Sequence, residues 1–121
     1  MRFTTSLKKN YEFRRLYNRG KSAVSQHAVV YSRRNGRTHN RLGVTVSTKI
    51  GGAVQRNRVR RRLKEIYRLN EEMMAPGFDV VIVARMKSRF VGFHELENSV
   101  LTLFRKLNIV TETSSPNPNA F

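Results

Sequence analysis

The amino-acid sequence predicts a single-domain α+β fold with the order helix, three strands, helix, strand, helix (αβββαβα). The length of 121 residues suits one modest hydrophobic core. Apolar residues recur at helical spacing in three segments. The segments that precede or separate the two longer helices either alternate between apolar and polar residues or are continuously apolar, and both patterns are typical of strands. Together these observations predict the fold class.

The first helix is predicted from residue 10. Asn10 is a residue type that caps helices, and Phe13, Leu16 and Tyr17 then recur at i, i+3 and i+4. Gly20 is placed to end this helix in a left-handed conformation. We therefore expect a helix of at most two turns.

Three strands are predicted to follow, at residues 21–25, 28–32 and 41–47. An Asn-Gly pair at Asn35 supplies a tight turn, so a hairpin is expected between the last two of these strands. Alternation along 41–47 predicts one buried and one polar sheet face, with Leu42, Val44 and Val46 on one side and Gly43, Thr45 and Ser47 on the other.

The second helix is predicted after the Gly51-Gly52 break. Its apolar residues have helical spacing as far as Met73-Met74, and Pro76-Gly77 stops it. Residues 78–84 form a continuous apolar run, which is typical of a strand that is central in the sheet or covered on both faces. The residues of the second helix that recur at helical spacing are Val59, Leu63, Ile66, Tyr67 and Asn70.

The last helix is predicted over residues 93–107, with acidic residues near its start and basic residues near its end, in agreement with the helix dipole. Residues 111–121 are rich in Ser, Pro and Asn. They offer too little apolar surface to offset the entropy cost of ordering. We therefore predict one domain over residues 1–110 and a disordered tail over 111–121.

The charge of the chain indicates a polyanionic partner. Its 24 Lys and Arg residues against 8 Asp and Glu give a net charge of +16. Nucleic acid is the first candidate and an anionic membrane surface the second, but the longest apolar run, 80–84, is far too short to span a bilayer. The absence of cysteine and of a secretory apolar stretch fits the cytoplasm. The absence of cysteine also excludes disulfides and thiolate zinc sites. The three histidines are scattered along the sequence and do not favour a metal centre.

A basic stripe is predicted on the second helix. Residues 49–68 contain eight basic residues and one acid, Glu65. On a helix, positions 57, 60, 61, 64 and 68 gather opposite the apolar face. Arg binds phosphate bidentately and Asn can read a base edge or sugar, so the stripe suits folded RNA. The alternative is a solvated helix face in which Arg61 and Glu65 form an ion pair. Arg56 and Arg62 lie near the apolar edge, where one of them can be structural.

The segment 47–65 resembles the signature of bacterial ribonuclease P proteins, whose Arg-Asn-Arg helix follows a Ser-x-Lys-x-Gly strand end. Further segments are similar in the expected order, so the resemblance covers about residues 6–108. Thr48 stands where the family usually has a basic residue, and Gly52 where Asn is common. The other similar segments are Leu7-Lys8-Lys9-Asn10 with Phe13 and Gly20, Arg41-Leu42-Gly43, and 78–85.

The resemblance implies a two-layer α/β sandwich, a four-stranded sheet and a left-handed βαβ crossover, against the general right-handed rule. It implies a protein subunit that binds a catalytic RNA and the 5′ leader of precursor tRNA and aids endonucleolytic removal of the leader. No obligate protein partner and no membrane are implied. The catalytic RNA would dock on Arg56, Asn57, Arg58, Arg60, Arg61 and Lys64.

The leader is expected in a separate concave face between the first helix and the open side of the sheet. Flat rings stack on any base, which suits a leader of variable sequence. An alternative is that Phe13 and Tyr17 simply pack in the core, whereas the hydroxyls of Tyr17 and Tyr31 favour partial exposure. The matching residues are Phe13, Tyr17, Tyr31, Thr45, Ser47 and Lys49.

No catalytic or metal-ligating residue is predicted on this chain. Two-metal phosphodiester hydrolysis needs converging carboxylates, and no pair of acids forms a recognisable ligand motif. The resemblance implies that Mg²⁺ bound mainly by the RNA subunit performs the chemistry. Two other interpretations also explain the basic charge. A structural ribosomal protein is one, and the Arg-Asn-Arg register argues against it. A DNA-binding or membrane-surface protein is the other, and it leaves the aromatic and polar sheet face unexplained.

Overall fold

The computed structural model describes residues 1–111, which form one mixed sheet of five strands with three α-helices. The strand order is β1-β4-β5-β3-β2. The predicted α+β class and the order of the seven predicted elements are confirmed, and one strand is added at the N-terminus. The elements are β1 (Thr4–Ser6), α1 (Asn10–Arg19), β2 (Lys21–Val24), β3 (Ala28–Arg34), β4 (Asn40–Thr45), α2 (Ala53–Leu69), β5 (Phe78–Ala84) and α3 (Phe93–Lys106).

Strand β5 occupies the centre of the sheet, as its continuous apolar sequence predicted. It pairs antiparallel with β3 and parallel with β4, and each of its residues is buried or half-buried. Val80 and Ile82 face the main core, whereas Val81 and Val83 face the opposite side. Because β4 and β5 are parallel neighbours joined by α2, the three elements form the expected βαβ crossover.

The predicted hairpin between β3 and β4 is wrong. The Asn-Gly turn does form, with Gly36 at a φ of 70°, but β5 lies between the two strands. The reason is that β5 carries apolar side chains on both faces and can form backbone hydrogen bonds along both edges. A central position buries both faces and pairs both edges, whereas an edge position would leave one edge unpaired. β3 instead forms its hairpin with β2.

The main core lies between the sheet and helices α2 and α3. All four apolar positions predicted on α2, which are Val59, Leu63, Ile66 and Tyr67, are at most 1% exposed. Leu42 and Val44 on β4, and Val46 directly after it, pack toward this core, as the alternation predicted, although the strand ends at Thr45 rather than at residue 47. The helices therefore cover one sheet face, which is the layered arrangement expected from the sequence.

Helix α1 packs on the opposite face of the sheet, where Leu16 is buried with Leu7 and Val81. It has ten residues rather than two turns, and Lys9, not Asn10, occupies the cap position. Gly20 is extended, with a φ of −79°, so its predicted left-handed conformation is wrong. Glycine is needed there for space, since a Cβ would lie 2.6 Å from the Leu16 carbonyl oxygen.

The strand that sequence reasoning missed is β1, which pairs in parallel with β4 and makes the sheet five-stranded rather than four-stranded. The carboxylate of Glu71 holds it by accepting the backbone N–H groups of Arg2 at 2.9 Å and Phe3 at 3.0 Å. Burial works to raise the pKa of Glu71, but contact with the Thr4 hydroxyl and these N–H groups outweighs it and lowers the pKa. A polar strand of three residues has no alternation to detect.

The ends of two predicted segments also differ. Helix α2 ends at Leu69 instead of continuing to Met73-Met74, because the Asn70 side chain binds the Ile66 carbonyl and a short 3₁₀ turn, Glu71–Met73, follows. Thr111, the first residue of the predicted tail, donates its backbone N–H to the Met73 carbonyl at 2.7 Å. The rest of that tail lies outside the described residues.

Candidate nucleic-acid interface

The basic stripe lies on the exposed side of α2, opposite its buried apolar face. Asn57, Arg58, Arg61 and Lys64 are exposed, and Arg60 is half-buried. Among residues 1–111, no hydrogen bond or ion pair engages the side chains of Arg58, Arg61 or Lys64. These three cations therefore reach solvent without a counter-charge.

The one acid of the stripe is paired within the helix. Glu65 accepts two hydrogen bonds from Arg68, at 2.8 and 2.6 Å, so the Arg61–Glu65 pair of the solvated-face alternative does not form. The hydrogen bonds from Arg68 lower the pKa of Glu65 and keep it ionised. Arg60 donates to the Asn57 side-chain oxygen at 2.8 Å. This leaves the amide NH₂ of Asn57 as a free donor.

Two arginines at the edge of the stripe are bound to backbone carbonyls. Arg56 donates to Gly51 at 3.0 Å and Arg62 donates to Val91 at 2.6 Å. Burial, together with repulsion from Arg58, lowers the pKa of Arg62. Arg62 therefore ties α2 to the segment that precedes α3, and Arg56 closes the glycine turn before α2. A groove of about 710 Å³ runs beside the stripe and is lined by Met1, Arg58, Arg61, Arg62, Lys64, Glu65, Arg68 and Phe93.

A second surface lies between α1 and the open face of the sheet. The Tyr17 hydroxyl is 3.1 Å from that of Thr45, and the Tyr17 and Tyr31 rings meet edge to face at 5.0 Å between centroids. The structure thus brings together residues predicted from three separate elements. Tyr17 and Thr45 line a groove of about 400 Å³ together with Asn10, Phe13 and Arg14, whereas Tyr31 contacts Tyr17 from outside this lining.

Phe13 belongs to both the groove and the small core under α1. It is half-buried and packs against the cluster of Leu7, Leu16 and Val81. Its ring lies so close to the backbone of Gly43 that a Cβ there would be 2.5 Å from a Phe13 ring carbon. Phe13 therefore packs in the small core and also lines the groove.

Ser47 and Lys49 follow the end of β4 and are exposed. The Ser47 hydroxyl accepts the backbone N–H of Lys49 at 3.1 Å and caps the 3₁₀ turn Thr48–Ile50. The Lys49 ammonium group has no partner within residues 1–111. Ser47 is thus partly committed to the turn, whereas Lys49 is available to an anion.

Sequence reasoning missed two residues of the groove, Asn10 and Arg14. A signal for them exists, because positions 10, 13, 14 and 17 recur at i, i+3, i+4 and i+7 and so share one side of α1. Arg14 is exposed and without a partner among the described residues. It adds a cation to the lining of the groove.

An ionic network anchors α1 to the sheet. Arg41 on β4 donates to both carboxylate oxygens of Asp79 at 2.9 and 2.7 Å, and also to Glu12 on α1. The hydrogen bond to Asp79 raises the pKa of Arg41, against the effect of burial. Burial works to raise the pKa of Glu12, but Arg41 and the backbone N–H of Lys9 outweigh it, and the pKa is lowered. This network sets the angle at which α1 frames the groove.

The chain matches the family model described as Ribonuclease P over residues 1–108, which includes both surfaces. The chain belongs to the ribonuclease P protein family. The ribonuclease P protein component of Clostridioides difficile is 41% identical over 107 residues, covering 88% of this chain and 94% of that protein. That of a Thermoanaerobacter species is 46% identical over 100 residues, covering 83% and 86%. As a member of this family the chain is a subunit of an endoribonuclease that works with an RNA subunit.

Solved structures of the family have the same fold. The ribonuclease P protein of Staphylococcus aureus superposes with a TM-score of 0.81 at 29% identity, covering 88% of this chain and 97% of that one. The Thermotoga maritima protein has a TM-score of 0.76 at 33% identity, covering 83% and 96%. The family membership confirms the predicted resemblance and does not favour the ribosomal alternative. Within residues 1–111, the helices lack the length and apolarity needed to cross a membrane.

Proposed function

We propose that this chain binds the catalytic RNA of ribonuclease P through the basic stripe and holds the 5′ leader of precursor tRNA in the α1 groove, so that the leader is removed efficiently. One observation carries the proposal. The chain presents a helix face of unpaired cations and, on the opposite side of the sheet, an aromatic groove, and these two chemistries suit two different RNAs.

The stripe suits a folded RNA because its donors are free. Arg58, Arg61 and Lys64 have no counter-charge among the described residues, so binding phosphate breaks no protein contact. The free NH₂ of Asn57 adds one neutral donor. Each phosphate that is neutralised releases counterions, which makes affinity depend strongly on salt. Arg60 and Arg56 support this face through their contacts with Asn57 and Gly51.

The groove suits a single strand of variable sequence. Tyr17 and Tyr31 hold each other edge to face, and the hydrogen bond to Thr45 fixes the Tyr17 ring relative to β4. A ring held in this way loses little entropy when a base stacks on it. Arg14 at the groove and Lys49 beyond β4 offer charge to the leader phosphates.

We further propose that the chemistry resides in the RNA with its bound Mg²⁺. The acids within residues 1–111 do not fit a two-metal site. Glu12 and Asp79 are bound to Arg41, Glu65 to Arg68, and Glu71 to backbone N–H groups. Within residues 1–111 no three acidic or histidine side chains are grouped closely enough to hold a metal ion. The protein would therefore bind and orient the RNAs and screen their charge. We propose that it does so in the cytoplasm and without an obligate protein partner.

Cleavage assays with rigorously RNA-free protein test the proposal. The protein alone should leave precursor tRNA intact, and at low Mg²⁺ it should stimulate cleavage by the cognate catalytic RNA. Mg²⁺-dependent cleavage by the RNA-free protein would contradict the assignment of catalysis to the RNA. Failure to bind or stimulate the catalytic RNA would contradict the proposed function as a whole.

A further inference from the structure

A third basic surface lies at the edge of the sheet formed by β2 and β3, away from both α2 and the α1 groove. A cavity of about 300 Å³ opens there, beside the end of α3 and the start of β5. Four cationic side chains line it, and no acidic side chain does. Its lining comprises Arg19, Lys21, Ser32, Arg33, Arg34, Phe78, Leu107 and Asn108.

The strand register explains why these residues meet. Lys21 is paired with Ser32 across β2 and β3, and Arg34 is paired with Phe78 across β3 and β5. Paired residues point to the same sheet face, and so do residues two apart on one strand. Lys21, Ser32, Arg34 and Phe78 therefore share one face, whereas Arg33 points to the other face. The Arg34 guanidinium is held over the Phe78 ring at 5.0 Å.

The four cationic side chains and the Ser32 hydroxyl of the lining have no hydrogen-bond partner within residues 1–111. Arg19, Lys21, Arg33 and Arg34 form no ion pair or hydrogen bond with any residue in 1–111. Ser32 is only 3% exposed, and its hydroxyl also has no hydrogen-bond partner in this part of the chain. An anion bound in the cavity would satisfy the hydroxyl and the cations together.

The end of α3 does not account for this charge. A helix C-terminus carries roughly half a negative charge, which offsets a small part of four cations. We propose that the cavity is a phosphate-binding site for the backbone of bound RNA, separate from the stripe and the groove. This inference rests on the proposed function, since the phosphate would come from the catalytic RNA, the leader or the body of the tRNA.

A double variant, Lys21→Gln with Arg34→Gln, tests the site, because these two cations share the sheet face that lines the cavity. The matched control is Arg105→Gln with Lys106→Gln, which removes two cations from the last turn of α3 that do not line the cavity. For the RNA that supplies the phosphate, the double variant should lose about tenfold in affinity, and its salt slope should shrink by about one relative to the control. Three binding arms identify the source: the catalytic RNA alone, and the holoenzyme with precursor or with mature tRNA.

Ser32→Ala keeps every charge and removes only the hydroxyl that the cavity lining offers as a donor. It should lose about two- to tenfold in affinity for the same RNA, the usual effect of one hydrogen bond. Circular dichroism and melting first establish that each variant is folded. If the double variant matches its control in all three arms and Ser32→Ala matches the wild type, the site is disproved.

Titration of the full-length protein with inorganic pyrophosphate keeps this test independent of the proposed function. The backbone amide signals of Lys21, Ser32 and Arg34 should shift at a concentration that leaves Arg105 unchanged. The absence of such shifts would overturn the site even if the protein stimulates the catalytic RNA. Their presence without RNA binding would support the site and contradict the proposed function.

Discussion

The hydroxyl groups of Tyr17 and Thr45 lie 3.1 Å apart, and the hydrogen bond between them joins α1 to the end of β4 across the groove. Tyr17 is 38% exposed although it also contacts the Tyr31 ring. Contacts of the ring with Tyr31 and of the hydroxyl with Thr45 therefore hold its position, and part of its surface remains for a ligand. This geometry separates two roles of the same residue, ring stacking and hydrogen bonding.

Tyr17→Ala should weaken the binding of precursor tRNA to the holoenzyme by about five- to a hundredfold, because base stacking contributes roughly 1–3 kcal/mol. Binding of mature tRNA, which has no leader, should stay unchanged. Tyr17→Phe keeps the ring and removes the hydrogen bond to Thr45, so it should have a much smaller effect. Equal losses for precursor and mature tRNA in a folded variant would leave Tyr17 as a packing residue.

Arg58→Ala, Arg61→Ala and Lys64→Ala should each weaken binding to the catalytic RNA and reduce the salt slope by about one. Arg105→Ala is the matched control, since it removes one exposed cation from α3 and not from the stripe. Filter binding between low and moderate salt measures both quantities. If the control changes the slope as much as the stripe variants do, net charge rather than the stripe governs binding.

Glu71→Gln should lower the free energy of unfolding at pH 7 by about 1–2 kcal/mol, because a charged acceptor binds more strongly than an amide. The folded-state pKa of Glu71 is lowered from 4.5, so its contribution is present above pH 4.5 and is lost as the pH falls through the folded value. The gap between wild type and variant should close in acid, as denaturant melts at several pH values would measure. Glu72→Gln, at the exposed neighbour, should show no such gap.

Gly43→Ala should destabilise the fold by about 1–3 kcal/mol, the usual cost of overpacking. The added Cβ would lie 2.5 Å from a Phe13 ring carbon and would push α1 off the sheet. Phe13→Leu in the same chain should recover part of the loss because it removes the ring edge that clashes. A double-mutant cycle by thermal melting measures this coupling. Additive effects of the two substitutions would show that the contact carries no strain.

Local patterns in the sequence were enough to predict α2, β5 and α3 and the side of α2 that faces solvent. Each depends on residues within a few positions of one another, as Val59, Leu63 and Ile66 illustrate. The central place of β5 was also predictable, because a strand with apolar residues on both faces must be covered twice. The Arg-Asn-Arg helix and its strand end were enough to indicate the family.

Only the tertiary structure decided which distant segments meet. The Asn-Gly turn after β3 favoured a hairpin, but β5 competes for the same edge and buries more apolar surface there. Glu65 had three arginines within helical reach, Arg61, Arg62 and Arg68, and it pairs with Arg68 in a bidentate contact. Arg19, Lys21, Arg33 and Arg34 are unremarkable in sequence, and they line one cavity at the edge of the sheet, where the strand register places Lys21 and Arg34 on the same face. Spacing along a chain determines one face of one element, whereas a site shared by several elements depends on how their faces pack.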